Sequence, residues 1–491
     1  MSDILVAQSY FLKFDPKEWK TMKPYPPLGA MYGVSVLREA GYNARLFDCM
    51  LAEDETEFLA ALEREKPQYV VVYDDDFNYL TKMCLLRMRE AAFKLAKYAK
   101  KHGCTTIIHS SDATDRLELY LDSGFDYVII GEAEFTLREL IGELTGHAPH
   151  PIPEINGLAY RRTEKTVRNA PRKVADDLDV FPFPAWDQVD IEKYRQKWLA
   201  HHGYFSLNLT TTRGCPFHCN WCAKPLYGQV YHSRSPQNVV DEIKMLKEKY
   251  QPDHIWFADD IFGLRPNWIQ EYSDLAKAQG AVIPFKCLSR ADLLLRKDTI
   301  PKLKQAGCEI VWIGAESGSQ KILDAMDKGT TVAQIYEATQ KIHETGFRIA
   351  FFLQFGYPGE LREDIDKTIR MVKECQPDEI GISVSYPLPG TPFYESVKEQ
   401  LGDKQNWEDS EDLAMLFQGA YVPDFYRILH KVVHKELRLL QCKNALTHLF
   451  HELNPQTVKS VLGYPIHLLQ LLRYRQQLEQ LEKVPTAVYW K

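Results

Sequence analysis

Twice along this chain, short apolar runs alternate with segments of helical periodicity, and a proline-rich stretch separates the two blocks. Alternation of this kind builds βαβ units, which assemble into parallel sheets flanked by helices. In the first block Ile4–Ala7, Ala44–Phe47, Tyr69–Tyr73, Thr105–Ile108 and Tyr127–Ile130 read as strands. Helical segments Tyr32–Ala40, Glu55–Glu65 and Lys82–Lys101 lie between them, and Gly41 and His102-Gly103 stop the first and last. Residues 1–147 are therefore expected to form a doubly wound parallel sheet, which gathers ligands at the carboxyl ends of its strands.

The pattern fails over residues 148–203. The segments His147–Pro153 and Phe181–Pro184 hold too much proline for long elements, so this stretch reads as a linker with one small hairpin, Leu158–Arg161 and Thr166–Asn169. The second block, 204–398, holds six strands: Phe205–Thr211, His254–Ala258, Pro284–Leu288, Glu309–Gly314, Ile349–Phe355 and Glu379–Ser385. Ser235-Pro236 opens its first helix as an N-cap followed by proline. Six repeats are two short of the usual eight, which implies a partial (β/α)6 barrel open on one side. Residues 399–491 are helical in period, and Ile466–Lys483 places Leu471, Tyr474, Leu478 and Leu481 on one face.

Charge narrows the function. Sixty Lys and Arg against 67 Asp and Glu give a net charge of −7, which carries no electrostatic footprint for nucleic acid. No apolar run reaches the roughly 18 residues of a membrane span. The N-terminus lacks a basic start followed by an apolar stretch, so a cytoplasmic chain with reduced cysteines is expected. Seven of the ten cysteines (Cys49, Cys84, Cys104, Cys287, Cys308, Cys375 and Cys442) are isolated and read as small buried apolar groups.

The other three stand together. Thr210-Thr-Thr-Arg-Gly-Cys215-Pro-Phe-His-Cys219-Asn-Trp-Cys222 runs on from the first strand of the second block, at a carboxyl end where barrel chemistry is placed. Three thiolates within eight residues can hold three irons of one cubane, which normally takes four thiolates. With no fourth cysteine nearby, one iron is left open to chelate a cosubstrate. The competing readings are three structural cysteines, or a zinc site with His218 as fourth ligand; His218 neighbours Cys219 and would have to turn back on the same loop.

This C-x3-C-x2-C, with Trp221 before the last cysteine, resembles the radical S-adenosylmethionine signature. Over residues 205–395 later strand ends agree with the resemblance in order: Phe257–Phe262, Ser289–Asp292, Gly314–Gly318, Phe355–Glu360 and Pro387–Pro392, with Met326–Thr330 after the fourth helix. The resemblance implies a 4Fe–4S cluster on Cys215, Cys219 and Cys222, and S-adenosylmethionine chelated to the open iron by its amino and carboxylate groups. One-electron reduction then gives a 5′-deoxyadenosyl radical that abstracts hydrogen, with a flavodoxin or ferredoxin as the electron donor. By the same resemblance Trp221 lies near the adenine and Asp259 or Asp260 accepts the methionine amine. Arg290, with Ser289 beside it, binds the carboxylate, and Glu316 holds a ribose hydroxyl. Tyr357 faces adenine or substrate, or serves a turn. A solvated strand-end charge is the alternative for each acidic residue.

Pro24-Tyr-Pro-Pro27-Leu-Gly29 with Tyr32–Gly41 resembles the opening of cobalamin-binding domains fused to such barrels, and Gly131-Glu132-Ala-Glu134 resembles their Gly-Glu-Gly-Glu turn. On this resemblance Ser110, Ser111, Gly131 and Glu132 contact the nucleotide loop of cobalamin. The match departs at Ala133, at His109–Asp112 where Gly-Gly-x-His is usual, and at the acidic Asp74-Asp75-Asp76. No Asp-x-His-x-x-Gly is present, so no protein histidine is expected on cobalt. A sheet that has lost its corrin is the alternative.

The fold expected is thus α/β: an N-terminal cobalamin-binding-like doubly wound sheet, a partial (β/α)6 radical SAM barrel and a C-terminal helical region. The function expected is methylation or oxidative rearrangement of an unactivated carbon in a small-molecule or lipid substrate, as in class B methylases or the anaerobic magnesium-protoporphyrin ester cyclases. A cobalamin-free radical enzyme, methylthiolation of tRNA using Cys49, Cys84 and Cys104 for a second cluster, and a cofactor carrier are the alternatives. Trp407, Phe417, Tyr421, Phe425 and Tyr426 suit either an apolar substrate or a packed helical core. The last helix mixes Glu, Gln and Arg on its polar face rather than a basic stripe, so contact with a membrane surface is the lesser reading.

Overall fold

The computed structural model describes residues 3–74, 85–148, 150–224, 226–401, 413, 415–448 and 455–486. Asp75, Asp76, Cys84, Trp407 and the expected helix start at Lys82 lie outside them. Among the described residues, those of 1–216 and 223–287 form one compact unit, and those of 217–222 and 288–486 form another.

The first unit carries the N-terminal sheet. Strands β1 (Ile4–Ala7), β2 (Ala44–Phe47), β3 (Tyr69–Tyr73), β4 (Thr105–His109) and β5 (Tyr127–Ile129) are parallel, in the order β2-β1-β3-β4-β5. Helices α1 (Leu28–Glu39), α2 (Thr56–Glu65), α3 (Leu86–Lys101) and α4 (Glu134–Thr145) cover it. Strand alternation sends Leu5, Val70, Val72, Ile108 and Val128 into one core with Phe58 and Leu95 of α2 and α3. Ile4, Val6, Val71, Ile107 and Ile129 enter the opposite core with Val34 and Leu137 of α1 and α4. A sheet buried on both faces is the doubly wound solution, and this strand order reverses between β1 and β3, where such sheets bind ligands.

The stretch read as a linker does more than connect. Strand β6 (Leu158–Arg162) pairs antiparallel with β5, and β7 (Lys165–Arg168) with β6, so the hairpin extends the first sheet to seven strands. Tyr127 opposite Tyr160, with Leu158, Ala159 and Tyr160 all buried, supplies the contact that short-range pattern does not reveal.

The second sheet contains β8 (Ser206–Leu209), β11 (His254–Phe257), β12 (Phe285–Ser289), β13 (Cys308–Glu316), β14 (Arg348–Phe355) and β15 (Glu379–Val384), in the order β15-β14-β13-β12-β11-β8. Sequential order with parallel pairing is that of an open barrel. Between β8 and β11, a short ribbon of β9 (Thr212–Arg213) and β10 (His232–Ser233) frames the ends of the cysteine segment. Helices α5 (Pro236–Tyr250), α6 (Trp268–Ala278), α7 (Thr299–Ala306), α8 (Val332–Thr345) and α9 (Arg362–Cys375) alternate with the strands. Ser235 caps α5 as expected, accepting from the Asn238 N–H at 3.1 Å, and Thr331 with Gln334 forms a capping box on α8.

Beyond the sheet, α10 (Pro423–His448) and α11 (Pro455–Leu481) complete the second unit. Leu471 and Leu478 of α11 are buried as their spacing predicts. Phe417, Phe425 and Tyr426 are buried, with Tyr421 stacked on Phe425, which is the packed helical core rather than an open aromatic surface.

Candidate active site

Within the second unit, the cysteine segment 217–222 meets several predicted site residues. The Arg290 guanidinium lies 3.6 Å above the Phe217 ring and donates from Nε to Asp292 at 3.0 Å. Ser289, just before it, is buried at the end of β12. The Lys328 ammonium sits 5.9 Å from the centre of the Trp221 ring and donates to Glu316 Oε1 at 2.7 Å. The indole N–H of Trp221 is buried without a hydrogen-bond partner.

Glu316 reaches this position through strained backbone. Its φ is +55°, at an irregularity where the register of β13 against β14 shifts between Gly314 and Glu316. A Cβ at position 314 would overlap both Glu316 Oε1 and Lys328 Nζ, so glycine is what lets the pair close over the strand. Burial alone would lower the Lys328 pKa, but the Glu316 carboxylate and the Cys219 sulfur hold it above its ordinary value. Sequence reading found Glu316 and missed Lys328, although Lys328 stands within the quoted Met326–Thr330 segment.

Asn220 was also missed, because nothing about a lone asparagine between two cysteines marks it. Its N–H donates to Met326 O at 3.0 Å, its amide to Ala325 O at 2.6 Å, and its carbonyl accepts from Phe393 N–H at 3.0 Å. Tyr357 O–H adds bonds to Asn220 Oδ1 at 2.8 Å and Ala325 O at 3.0 Å. Tyr357 thus clamps the cysteine segment, and its hydroxyl is committed to that task. Cys222 N–H closes a turn onto Cys219 O at 3.2 Å.

Two further groups on this unit carry unspent polarity. Gln354 of β14 is 2% exposed, yet neither its amide oxygen nor its nitrogen has a partner. Strand alternation places it on the face of Phe352, which is itself exposed and 4.6 Å from Trp312. A buried free amide offers two N–H donors and an acceptor oxygen to whatever enters. Glu360 accepts from Gly356 N–H at 2.6 Å, and burial pushes its carboxyl up to about 8.

In the first unit, Cys215 is buried and follows Gly214, whose φ of +77° and packing against the Val230 carbonyl exclude a side chain. Asp259 is wholly engaged. It accepts from Thr210 Oγ1 at 3.0 Å, Thr211 N–H at 2.7 Å, Thr211 Oγ1 at 2.5 Å and Thr212 N–H at 2.9 Å. Burial raises its pKa to about 6 against those four donors. Its observed work is to hold the turn that leads into the cysteines, while Asp260 is exposed.

Glu132 is likewise engaged rather than open. It takes an ion pair from Arg213 at 2.6 Å and the Ala175 N–H at 2.9 Å, and Glu134 pairs with the same guanidinium. Arg213 stands two residues before Cys215, so the Gly131–Glu134 turn secures the root of the cysteine segment. Ser110 accepts from Ala113 N–H at 2.9 Å as an N-cap, Ser111 is buried beside it, and Gly131 has φ +75°.

At the reversal between β1 and β3, Ser9 N–H donates to Asp74 Oδ1 at 2.8 Å. Gln8 Oε1 and Ser9 Oγ are buried there without partners. Pro24–Pro27 is anchored locally: Trp198 Nε1 donates to Pro24 O and Asn208 to Pro26 O, with Tyr25 tilted against Trp256 under the Lys286 ammonium.

The isolated cysteines behave as expected where described. Cys49 and Cys104 donate to the carbonyls of Gln8 and Pro67, and burial raises both thiols. Cys287, Cys308, Cys375 and Cys442 are buried. Among the described residues no three His, Cys, Asp or Glu side chains converge tightly enough for one metal ion. A cubane makes a different demand, since it spreads its thiolates over separate irons.

Residues 209–372 match the model of the Radical SAM superfamily. The chain is 28% identical over 432 residues to an uncharacterised methyltransferase of Pyrococcus horikoshii, covering 84% of this chain and 90% of that one. It is 27% identical over 412 residues to the hopanoid C-3 methylase of Methylococcus capsulatus, covering 82% and 75%. The anaerobic magnesium-protoporphyrin IX monomethyl ester cyclase of Rubrivivax gelatinosus is 24% identical, covering 79% and 68%. Among solved structures, the radical S-adenosylmethionine methyltransferase TsrM of Kitasatospora setae, with cobalamin and a 4Fe–4S cluster bound, gives a TM-score of 0.67 at 17% identity, covering 82% of this chain and 76% of that one. The cobalamin-dependent radical enzyme OxsB gives 0.71 at 16% identity, covering 100% and 74%. These likenesses bear out the expected fold class.

Proposed function

We propose, for a chain that carries a radical SAM domain over residues 209–372, a cobalamin-assisted radical S-adenosylmethionine enzyme that methylates or rearranges an unactivated carbon. The carrying observation is the meeting of segment 217–222 with Arg290, the Glu316–Lys328 pair and Tyr357. When bound, the cluster supplies one electron, S-adenosylmethionine the cleavable sulfonium, and cobalamin a methyl carrier.

The chain's own residues supply binding and order. Cys215, Cys219 and Cys222 offer three thiolates on one loop. Arg290 presents a buried guanidinium for a carboxylate. Glu316, oriented by Lys328, accepts a ribose hydroxyl, and the free N–H of Trp221 lies within the same group. Asp259, Asn220 and Tyr357 hold the loop, and Asp260 and Ser289 complete the set.

Cobalamin is supported by the first sheet. Its ligand edge holds the unpartnered Gln8 Oε1 and Ser9 Oγ, which suit a polar ligand, and Ser110, Ser111 and Gly131 lie at neighbouring strand ends. We read the chain as 1–147 cobalamin-binding-like, 148–203 a linker whose hairpin joins the first sheet, 204–398 barrel and 399–491 helical region. The substrate is read as an apolar small molecule or lipid, in keeping with the hopanoid and porphyrin named for two relatives. Exposed Phe352, packed against half-buried Trp312, supplies an apolar surface for it. A flavodoxin or ferredoxin supplies the electron. Anaerobic reconstitution with added hydroxocobalamin tests this reading: retained corrin after desalting supports it, and loss of all corrin overturns the cobalamin assignment.

A further inference from the structure

One surface of the second unit is unlike the rest of the protein. On α11, Leu462, Ile466, Leu469 and Leu472 are 71, 58, 69 and 54% exposed, with Leu468 also exposed beside them. At about 100° per residue these four span an arc of about 120°, and the stripe runs about 15 Å along the helix. Leu471 and Leu478 occupy the opposite side and are buried. Large apolar side chains exposed elsewhere among the described residues are scattered along the chain.

The charge around the stripe differs from the protein's average. From Pro423 to Leu481 the sequence carries eight Lys and Arg against four Asp and Glu, a balance of +4, whereas the whole chain is −7 and the remainder therefore −11. Neighbouring α10 contributes much of this basic character: Lys431 lies 5.6 Å over the Tyr474 ring, and Lys435 Nζ is 3.0 Å from His467 Nδ1. Arg473 is exposed at the end of the stripe. Tyr474 and His467 lie on the side of α11 that carries Leu471 and Leu478, so these lysines stand behind the stripe, and of the described cations on α11 Arg473 is the one within its arc.

An exposed apolar helical face that carries Arg473, on a helix pair of net positive charge, matches the interface of an anionic bilayer, where acyl chains accept the leucines and headgroups attract the cations. The stripe is too short to span, and no helix among the described residues is long and apolar enough to cross a membrane. We infer that α11 lies in the surface of an anionic lipid membrane through Leu462, Ile466, Leu469 and Leu472, with Arg473 on the headgroups and the lysines of α10 adding attraction at longer range.

Sedimentation of the full chain, reconstituted with its cluster, with vesicles tests this directly. Vesicles of equal parts phosphatidylcholine and phosphatidylglycerol are expected to pellet the protein, and vesicles of phosphatidylcholine alone to pellet far less. The double substitution Ile466→Glu and Leu469→Glu, both at exposed positions, is expected to lower binding more than about tenfold, as loss of two large apolar anchors requires. Arg473→Gln is expected to lower it about fivefold, the effect of one cation near the surface. An unchanged circular dichroism spectrum and unchanged S-adenosylmethionine cleavage keep the comparison valid. Failure to pellet with either vesicle, or equal pelleting of the double variant, overturns the inference. So does a wild-type dimer in analytical ultracentrifugation that the double variant converts to monomer, since a second copy would then cover the stripe.

Discussion

Gly314 shows how one missing side chain permits a site. It makes room for Glu316 at positive φ and for the Lys328 ammonium, and the pair is buried. Glu316→Gln leaves that ammonium without its counter-charge, and removal of one partner from a buried pair typically costs about 3–5 kcal/mol. Urea denaturation is expected to report a loss of that order, together with weaker S-adenosylmethionine binding in equilibrium dialysis; unchanged values for both would remove the pair from the account. Glu360 gives a pH signature. Its carboxyl is raised from 4.5 to about 8 by burial, so the folded state retains a proton that the unfolded chain releases. Its stabilising contribution is complete below 4.5 and declines, by up to about 1.4 kcal/mol per pH unit, until about pH 8. Glu360→Gln is expected to flatten that decline in melting temperature between these limits, and a decline equally steep in the variant would refute the assignment.

At the scale of elements, the cysteine segment is held at both ends by residues that do not look functional. Arg213, buried between Glu132 and Glu134, fixes its root, and Asn220 with Tyr357 fixes its far side. Arg213→Met would leave two buried carboxylates unpaired, and at least about 3 kcal/mol of stability is expected to go with it. Asn220→Ala is expected to lower iron retention after reconstitution, whereas Tyr357→Phe, which loses one hydroxyl, should lower it less. Iron measured by ferrozine decides: equal retention in all three proteins would show that the clamp is dispensable. The strands and helices were legible because their marks are local, as in the Ser235-Pro236 cap and the apolar run Ile4–Ala7. Asn220, Lys328 and Arg213 were not, since each acquires its meaning from a partner distant in sequence. Glu132 and Asp259 are expected as ligand contacts by resemblance, and that resemblance says nothing of the guanidinium and threonine partners the structure shows each of them to have.

The whole molecule combines two sheets whose ligand edges were expected from strand order alone. The first shows its reversal between β1 and β3, where Gln8 and Ser9 hold polar atoms without partners. The second carries the cysteines on the loop after β8. The stretch 148–203 was the least legible part, because an antiparallel hairpin added to a parallel sheet leaves no local mark of its partner strand. The most direct test of the account is anaerobic reconstitution followed by dithionite and S-adenosylmethionine, with iron and 5′-deoxyadenosine measured on the same sample. About four irons per chain and 5′-deoxyadenosine formation are predicted, both lost in the triple variant Cys215→Ala, Cys219→Ala and Cys222→Ala. About eight irons, or no 5′-deoxyadenosine from a fully loaded wild-type protein, would contradict it.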